Sequence, residues 1–506
     1  MSHLIFDSGK AAFDGKETLT FPSLPLGAED FTICLRARCD FADGNYSGDI
    51  LSQFDQKIRT GFSLGLASLE ASATSRVTAK KLTFGIDANT DPVWVDAGNP
   101  GGTTLFPNGF CEYAGNFYVA TCTGEAGGKG GVWRLEGAEG WVDCKCPCVS
   151  NSVHALTVHD GILCAAAAVC DTAGTHLAPA GNMKPDGHVY GYDGTHWQDY
   201  GKVSECNVVF GLTVLNGVLY ASALDQFTDA TSQPANGLYR MSKPGHWEFC
   251  GNPGERVCPI TAKDGRIIAG GYNKGRIYAY DPASGTWEDW GNPHPATTQI
   301  YSFVDFNGEL LAGTWKGAKV FAIEAPHRYR DLGLLGREEE VMGMAVYNGK
   351  LYAGTLPLAQ IYRYEGGTEW TLVDRLEHTD TEYRRAWSMG IHGERLFCGV
   401  VPSGRIYAMT AGRVVTLDEE FPPGWHHVTA VRCSNRLSLY LDGKKVAEQA
   451  EPPRWIANRK LDLSSGATFR MGDGPAGPWK GAIADVRIYG RVLDEGEISA
   501  LASEPK

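Results

Sequence analysis

Segments with the spacing of an amphipathic helix are almost absent from this chain of 506 residues. The clearest candidate is the tail, residues 493–501 (LDEGEISAL). Short runs of aromatic and β-branched residues between Gly-rich turns dominate instead, and Gly occurs 63 times. This pattern is typical of many-stranded antiparallel folds. The sequence therefore predicts an all-β protein, and its length allows about two to four domains.

An excess of positive charge is also lacking, since the formal net charge is −13, although a locally basic pocket is compatible with this value. Nucleic-acid binding depends largely on clustered Lys and Arg, so we expect no nucleic-acid partner. No apolar run approaches the length of a membrane span, and the start MSHLIFDSGK has no signal-peptide pattern. We therefore expect a cytoplasmic protein without a membrane partner. A secreted protein whose leader had been removed would have the same sequence.

The 14 cysteines lack the arrangement of a small disulfide framework, which favours free thiols in a reducing compartment. Cys144, Cys146 and Cys148 form a Cys-x-Cys-x-Cys motif, but no second pair at zinc-site spacing accompanies it. No cofactor is therefore predicted, and a structural or catalytic divalent cation is left open. A phosphate-binding glycine loop, a Gly-x-Ser-x-Gly elbow and a His-Glu-x-x-His motif are absent as well.

A repeat fills the middle of the chain. Its copies follow roughly one plan, with an apolar strand, a glycine turn, a second strand and a segment similar to Gly-x-Trp-x-Asp-x-Gly, most clearly in AKDGRIIAGGYNKGRIYAYDPASGTWEDWG from residue 262. The turn glycines are Gly115, Gly161, Gly217, Gly265, Gly308, Gly349 and Gly393. Separations of 41 to 56 residues suit a four-stranded blade. Seven turns therefore predict a seven-bladed β-propeller over residues 91–416.

Residues 93–100 (VWVDAGNP) are similar to the outer-strand segment WEDWGNP at 287–293, yet they precede the first blade. We expect this orphan strand to complete the last blade, because such closure removes exposed sheet edges. An extended loop that shares the Trp-x-Asp pattern by coincidence is the alternative.

The two ends of the chain carry a second pattern. Residues 425–444 contain Trp-His-His-Val and Leu-Asp-Gly-Lys, and residues 485–489 are Asp-Val-Arg-Ile-Tyr. This order resembles the second half of a laminin-G-like, concanavalin A-like jelly roll, and residues 31–88 resemble the missing first half. The resemblance implies a jelly roll built from residues 1–90 and 417–506 with the propeller inserted in one of its loops. A loop tolerates an insert whose ends lie close together.

A functional site is predicted on the propeller face that carries the loops between the second and third strands. Two of these loops, residues 170–188 and 224–237, are unusually long. Long loops on a rigid scaffold are usually functional. The inner strands begin near the central channel seven residues before each turn glycine. This set consists of Asn108, His154, Phe210, Cys258, Tyr301, Met342 and Ala386.

Three residues near this channel mouth are predicted to be catalytic. His154 and Tyr301 are able to transfer protons. Arg385 offers a planar fork that matches a carboxylate. A hydrogen-bonded structural role in the channel is the alternative for His154 and Tyr301, and a solvated loop is the alternative for Arg385.

The predicted substrate-binding residues lie in the loops and at the starts of the third strands. They are His188, Arg276, Trp315, Glu382, Tyr383, Arg384, Arg405, Asp171 and Asp225. A cation recurs at the start of the third strand, at Arg276, Lys319 and Arg405, and His188 has the same position in blade 2. Trp315 and Tyr272 are suited to stacking on a sugar ring. Repeat ancestry, packing between blades and solvated loops are the structural alternatives.

The resemblances imply a carbohydrate-active enzyme, because jelly rolls of this type often bind glycans and seven-bladed propellers include polysaccharide lyases and glycosidases. The expected partner is a glycan or glycoside substrate. We favour β-elimination next to a uronate, which needs a cation for the carboxylate and a His/Tyr pair as base and acid. A glycoside hydrolase would instead use two carboxylates from Asp171, Asp225, Asp229 and Glu382. A non-catalytic scaffold that binds a glycan or a protein is the remaining alternative.

Overall fold

The computed structural model describes residues 4–9, 11–14, 16–39, 47–67, 80–137, 140–225, 236–434, 436–449 and 460–504. Nearly all regular elements in these ranges are strands, as the sequence predicts. The predicted C-terminal helix forms at Glu495–Ala502, where Asp494 and Glu497 make a capping box. Single 3-10 turns occur at Pro100–Gly102 and Ala173–Thr175. Within the described ranges, no helix has the length and apolar character needed to cross a membrane.

Seven four-stranded antiparallel blades form the propeller, and the strands of each blade follow one another from the central channel outwards. Blade 1 contains Thr104–Tyr113, Asn116–Thr123, Gly131–Glu136 and Gly140–Asp143; blade 2 contains Ser152–His159, Ile162–Ala168, His188–Tyr192 and Trp197–Lys202. Blade 3 contains Val208–Leu215, Val218–Leu224, Gly237–Lys243 and His246–Phe249; blade 4 contains Val257–Lys263, Arg266–Gly271, Ile277–Asp281 and Thr286–Gly291. Blade 5 contains Gln299–Phe306, Glu309–Trp315, Lys319–Ala325 and Arg328–Leu334; blade 6 contains Glu340–Tyr347, Lys350–Leu356, Gln360–Gly366 and Glu369–Arg375. Blade 7 contains Arg385–His392, Arg395–Val401, Ile406–Thr410 and Val93–Asp96.

The outer strand of blade 7 comes from the N-terminal side of the propeller. Val93–Asp96 pairs antiparallel with Ile406–Thr410, with Asp96 opposite Tyr407. The predicted closure by the orphan strand is therefore confirmed. It leaves blade 7 with the same four-stranded plan as its neighbours and ties the two ends of the ring together.

The inner turns explain why glycine marks the repeat. In blade 3, Asn216 and Gly217 have φ values of 51° and 74°, and the two strands leave this turn as a tight hairpin. A two-residue hairpin turn of this kind requires positive φ at both central positions, which Asn-Gly and Asp-Gly tolerate.

The remaining strands build a two-sheet sandwich from both ends of the chain. The first sheet contains, in spatial order, Leu4–Ser8, Lys480–Tyr489, Phe31–Cys39, His426–Cys433, Arg436–Leu441 and Lys444–Glu448, and Ala11–Asp14 also pairs with Lys480–Tyr489. The second sheet contains Leu19–Phe21, Phe469–Met471, Gly48–Asp55, Thr60–Ala67, Lys81–Ala88 and Arg413–Thr416. Arg413–Thr416 pairs with Lys81–Ala88, so the chain enters the sandwich shortly before residue 417. Phe31, Phe62 and Trp479 are buried between the sheets.

The second sheet packs against the glycine-turn face of the propeller. Asn348, in the blade 6 turn, donates hydrogen bonds to the carbonyl oxygens of Ile86 at 3.1 Å and Ala411 at 3.0 Å. A Cβ on Gly85 would lie 2.2 Å from the Asn348 side-chain oxygen, so the sheet needs glycine there. Lys350 and Asp87 form a buried ion pair across the same contact. The sandwich therefore contacts the face opposite the long second-to-third loops.

Candidate active site

A β-bulge occurs in the inner strand of every blade at the same depth. In blade 2, Val153 pairs with Ala167 and Ala155 pairs with Ala166, so His154 is the extra residue. The corresponding extra residues elsewhere are Asn108, Phe210, Tyr301 and Trp387, with Cys258-Pro259 and Met342-Gly343 in blades 4 and 6. A bulge re-aims a side chain and is common next to active sites. The bulge therefore directs one side chain of each blade towards the channel.

These bulges fix the residue that blade 7 contributes to the channel. His392 pairs with Arg395, so Gly393 and Glu394 are the turn residues, and Gly393 occupies the first turn position instead of the second. Counting back from Gly393 therefore selects Ala386, one residue too early. The structure corrects this member of the set to Trp387, which is buried at the cavity wall.

The bulged side chains enclose a cavity of about 260 Å³ at the channel mouth. Its lining residues are mainly aromatic or small, namely Phe106, Asn108, His154, Val169, Cys170, Asp171, Thr175, Val208, Phe210, Leu224, Arg256, Cys258, Tyr272, Tyr301 and Trp387. The predicted catalytic residues His154 and Tyr301 therefore share one cavity with Asp171. Aromatic walls with few polar groups suit a ring-shaped ligand.

His154 is held in the cavity as a neutral imidazole. Its ring centroid lies 4.5 Å from that of Phe210, and burial lowers its pKa to about 4. The Nε2 atom is buried and has no hydrogen-bond partner in the described part of the chain. Native proteins rarely leave a buried polar atom unsatisfied, so this atom is a candidate ligand contact.

Tyr301 lies between two other aromatic rings of the cavity. Its ring centroid is 5.6 Å from that of Trp387 and 6.0 Å from that of Tyr272. Burial raises the pKa of the Tyr301 hydroxyl well above its usual value, and the neighbouring Tyr272 and Glu340 add to this effect. Tyr301 therefore stays protonated at neutral pH and is suited to donate a proton, not to accept one.

Glu340, at the start of the blade 6 inner strand, is a buried carboxyl group that sequence reasoning missed. Burial raises its pKa to about 8, and the positive charge of Arg385 opposes this rise. Oε1 is buried without a hydrogen-bond partner among the residues the structure describes. The local sequence carries no signal for this site, because burial of that carboxyl depends on the neighbouring blade.

We expect Glu340→Gln to change how stability depends on pH. The folded protein binds more protons than the unfolded chain between the usual pKa of Glu and about 8, so Glu340 lowers stability as pH rises through this window. Gln removes this loss. The stability of the variant relative to the parent should therefore increase from pH 5 to pH 9, by at most about 1.4 kcal/mol per pH unit. Urea unfolding at several pH values measures this, with the exposed Glu369→Gln as control; parallel curves would contradict the expectation.

Arg385 is buried beside the cavity but does not line it. Its guanidinium group donates to the backbone carbonyl oxygens of Thr175 at 2.9 Å and Tyr383 at 3.0 Å. The same group lies 5.9 Å from the Phe106 ring centroid. Arg385 therefore connects blade 7 to the loop of blade 2. The arginine among the cavity-lining residues is Arg256, which no sequence signal selected.

The long loop of blade 2, residues 169–187, reaches from blade 2 to the start of blade 7. Both backbone groups of Cys170 hydrogen-bond to the Asn151 side chain at 2.8 Å, which fixes the beginning of this blade 2 loop. Further along, the His176 ring centroid lies 4.6 Å from that of Tyr383. The loop is thus anchored on both sides of the mouth. Residues 226–235 of the second long loop, and with them Asp229, lie outside the described residues.

The repeated third-strand cations form ion pairs inside their own blades. His188 lies 3.0 Å from Asp199, Arg276 lies 2.7 Å from Asp289, and Arg405 contacts Asp96. Each of these aspartates also accepts a hydrogen bond from a glycine amide two residues later, as in Gly291 to Asp289 at 2.8 Å. The Asp of the Gly-x-Trp-x-Asp-x-Gly motif therefore joins the two outer strands, and these cations are not among the cavity-lining residues.

We expect Arg276→Met to leave any activity at the cavity within about twofold of the parent, because its ion pair with Asp289 lies in the exposed outer part of the blade. Exposed ion pairs contribute about 0–1 kcal/mol, so the thermal midpoint should shift by only a few degrees. Activity assays and thermal unfolding measure the two effects. A loss of ligand binding with unchanged stability would show that Arg276 contacts the ligand after all.

Four other predicted binding residues are not among the cavity-lining residues. Trp315 packs against the cluster that contains Tyr301 and Trp387. Glu382 is exposed. The remaining two have internal partners: Arg384 donates to the carbonyl oxygens of Pro357 and Thr379, and Asp225 accepts a hydrogen bond from the Asn207 side chain at 3.0 Å.

Two clusters contain residue types that bind metals: one consists of cysteines, and the other of acidic residues and a histidine. Burial raises the thiol pKa to about 11 in Cys144 and about 12 in Cys146, and within the described ranges neither belongs to a group of three metal-ligating side chains. Glu112, His392 and Asp418 lie close together at the contact between propeller and sandwich. Lys81 forms a buried ion pair with Glu112 there. The charge of this second cluster is thus partly balanced by the protein itself, and we assign it to the contact between the domains.

Residues 368–499 match the family described as the concanavalin A-like lectin/glucanases superfamily, Laminin_G_3, over less than half of the chain. No curated protein matches the chain. Virginiamycin B lyase from Staphylococcus aureus is 13% identical with a TM-score of 0.47, and the match covers 63% of this chain and 99% of that one. The extracellular domain of a hybrid two component system from B. thetaiotaomicron is 16% identical with a TM-score of 0.44, covering 62% of this chain and 39% of that one. The all-β class with a propeller and a concanavalin A-like domain agrees with the prediction, and at these identities the likeness concerns the fold alone.

Proposed function

We propose that the protein is a carbohydrate-active enzyme that cleaves a glycan at the channel-mouth cavity by β-elimination next to a uronate. The observation that carries this proposal is the buried, neutral His154 imidazole, whose Nε2 has no partner among the described residues, in the same cavity as the protonated Tyr301. A base and an acid in one aromatic cavity are what proton abstraction next to a carboxylate requires.

In the proposed reaction, His154 Nε2 removes the proton on the carbon next to the uronate carboxylate. The electron pair forms the carbon–carbon double bond as the bond to the leaving glycosidic oxygen breaks, and Tyr301 protonates that oxygen. A bound carboxylate near His154 raises the pKa of the imidazole from about 4, because an opposite charge favours the imidazolium form. Arg256 replaces Arg385 as the proposed partner of the carboxylate, since Arg256 lines the cavity and Arg385 donates to backbone carbonyls.

Hydrolysis is less well supported, because it calls for two carboxylates flanking the bond. Asp171 is the one carboxylate among the cavity-lining residues within the described ranges. A non-catalytic glycan-binding role would use the same cavity, without proton transfer.

The proposal is tested by incubating the protein with a panel of uronate-containing and neutral glycans. Ultraviolet absorbance reports the unsaturated uronate and a second assay reports new reducing ends. We expect both signals to rise with uronate-containing glycans. Reducing ends without absorbance would replace elimination by hydrolysis, and binding without either signal would favour the scaffold role.

A further inference from the structure

We infer that the cavity receives a single acidic sugar ring at the end of a chain, and that the anchored blade 2 loop imposes this end-on mode. The choice of an acidic sugar rests on the proposed function. The end-on geometry rests on the shape of the mouth and is independent of any chemical step.

The size of the cavity limits how much ligand it holds. Its volume of about 260 Å³ is below the range of about 300–1,000 Å³ of sites for drug-sized ligands. One sugar ring fits this space, whereas two consecutive rings do not. A chain bound through an internal ring would need a groove that continues on both sides of the cavity.

The blade 2 loop closes one of those sides. Arg385 donates to the carbonyl oxygen of Thr175, a cavity-lining residue 210 positions away in sequence. The His176 and Tyr383 rings make the adjacent contact at 4.6 Å, and Leu177 packs in the cluster with Trp387. These contacts carry the loop of blade 2 past blade 1 to the start of blade 7, along one side of the mouth. A continuous chain is therefore blocked in this direction, while a chain end is not.

The charges around the cavity favour an anionic ring. Arg256 and Asp171 line it, and Arg385 lies behind the Phe106 ring. Glu340 adds little negative charge at neutral pH, because burial raises its pKa to about 8. The charges of the two lining residues therefore offset one another, and Arg385 adds positive charge behind the wall. Arg256 is the lining cation with the fork geometry that a carboxylate accepts.

The test measures binding of free glucuronate and galacturonate, their neutral counterparts glucose and galactose, and a tetra-uronate, by calorimetry and by tryptophan fluorescence. A charge-assisted contact predicts about tenfold tighter binding of the uronate than of the neutral sugar. The tetra-uronate should bind within about threefold of the single ring. Arg256→Met should remove the preference for the uronate, and Arg276→Met, whose guanidinium is paired with Asp289, is the matched control.

Two variants examine the role of the loop. Arg385→Met and the milder His176→Ala loosen the contact between the loop and blade 7, so the tetra-uronate should gain affinity relative to the single ring. Affinity that already rises tenfold from one ring to four in the parent would overturn the end-on mode, and so would absence of binding by all single rings. Binding of one ring without turnover would keep the end-on mode and remove the proposed cleavage. Turnover that releases internal fragments would keep the proposed cleavage and overturn the end-on mode.

Discussion

Replacing His154 by Gln is expected to reduce turnover of the responsive glycan by about 10²–10⁴-fold, the usual contribution of a positioned acid or base. Gln keeps a polar side chain of similar reach but accepts no proton from carbon. Because Nε2 has no partner among the described residues, the substitution breaks no hydrogen bond of the folded protein. The loss should therefore appear in kcat at nearly unchanged thermal stability.

His188→Gln is the matched control for this prediction, because His188 is the same residue type on the same blade but pairs with Asp199 outside the cavity. We expect His188→Gln to retain nearly full turnover. Turnover of His154→Gln within threefold of the parent, in folded protein, would remove His154 from the proposed chemistry.

Lys350→Met is expected to lower the free energy of unfolding by about 3–5 kcal/mol, the usual cost of leaving one partner of a buried ion pair alone. Lys350 and Asp87 are almost fully buried where blade 6 meets the second sheet of the sandwich. Met replaces the Lys stem but not its charge, so the Asp87 carboxylate loses its ion-pair partner. Urea unfolding monitored by tryptophan fluorescence gives the change, provided that the m-value is constant.

The double variant Asp87→Leu/Lys350→Met separates the ion pair from the packing around it. Removing both charges avoids the uncompensated carboxylate, so the double variant should recover much of the stability that Lys350→Met loses. The exposed pair Arg240–Glu248 supplies the control, since Arg240→Met should cost about 0–1 kcal/mol. Equal losses in the two single variants would show that the contact between sheet and blade contributes little.

Much of the fold could be predicted because each repeat is marked by the residues that its local turns require. A tight hairpin needs positive φ, so Gly217 and its equivalents mark each blade. A Trp-x-Asp segment marks the outer strands of blades 1, 2, 4 and 7. The same local rule failed by one residue in blade 7, where Gly393 occupies a different turn position and the bulge selects Trp387. The spacing of the glycines predicts the number of blades, but it does not predict the register of the two strands at each turn.

The site was predicted in part, for reasons that concern side-chain direction. His154 and Tyr301 share the cavity because the bulge recurs at one depth in each blade. The cation at the start of the third strand also recurs, but its position faces the outer-strand aspartate of the same blade, as Arg276 faces Asp289. The periodicity of the sequence shows that a residue type recurs from blade to blade. Only the pairing of the strands in the structure shows which side chain that residue contacts.

By itself, the sequence determined the all-β class, the number of blades, the closing strand and the channel positions of His154 and Tyr301. These follow from turn residues, strand composition and repeat length, which act over a few neighbouring residues. Tertiary structure decided that Arg385 anchors a loop 210 residues away, that the buried Oε1 of Glu340 has no hydrogen-bond partner in the described chain, and that Asp87 pairs with Lys350. Each of these depends on which distant surfaces meet. The energy of a buried charge is set by those surroundings and not by its own segment of chain.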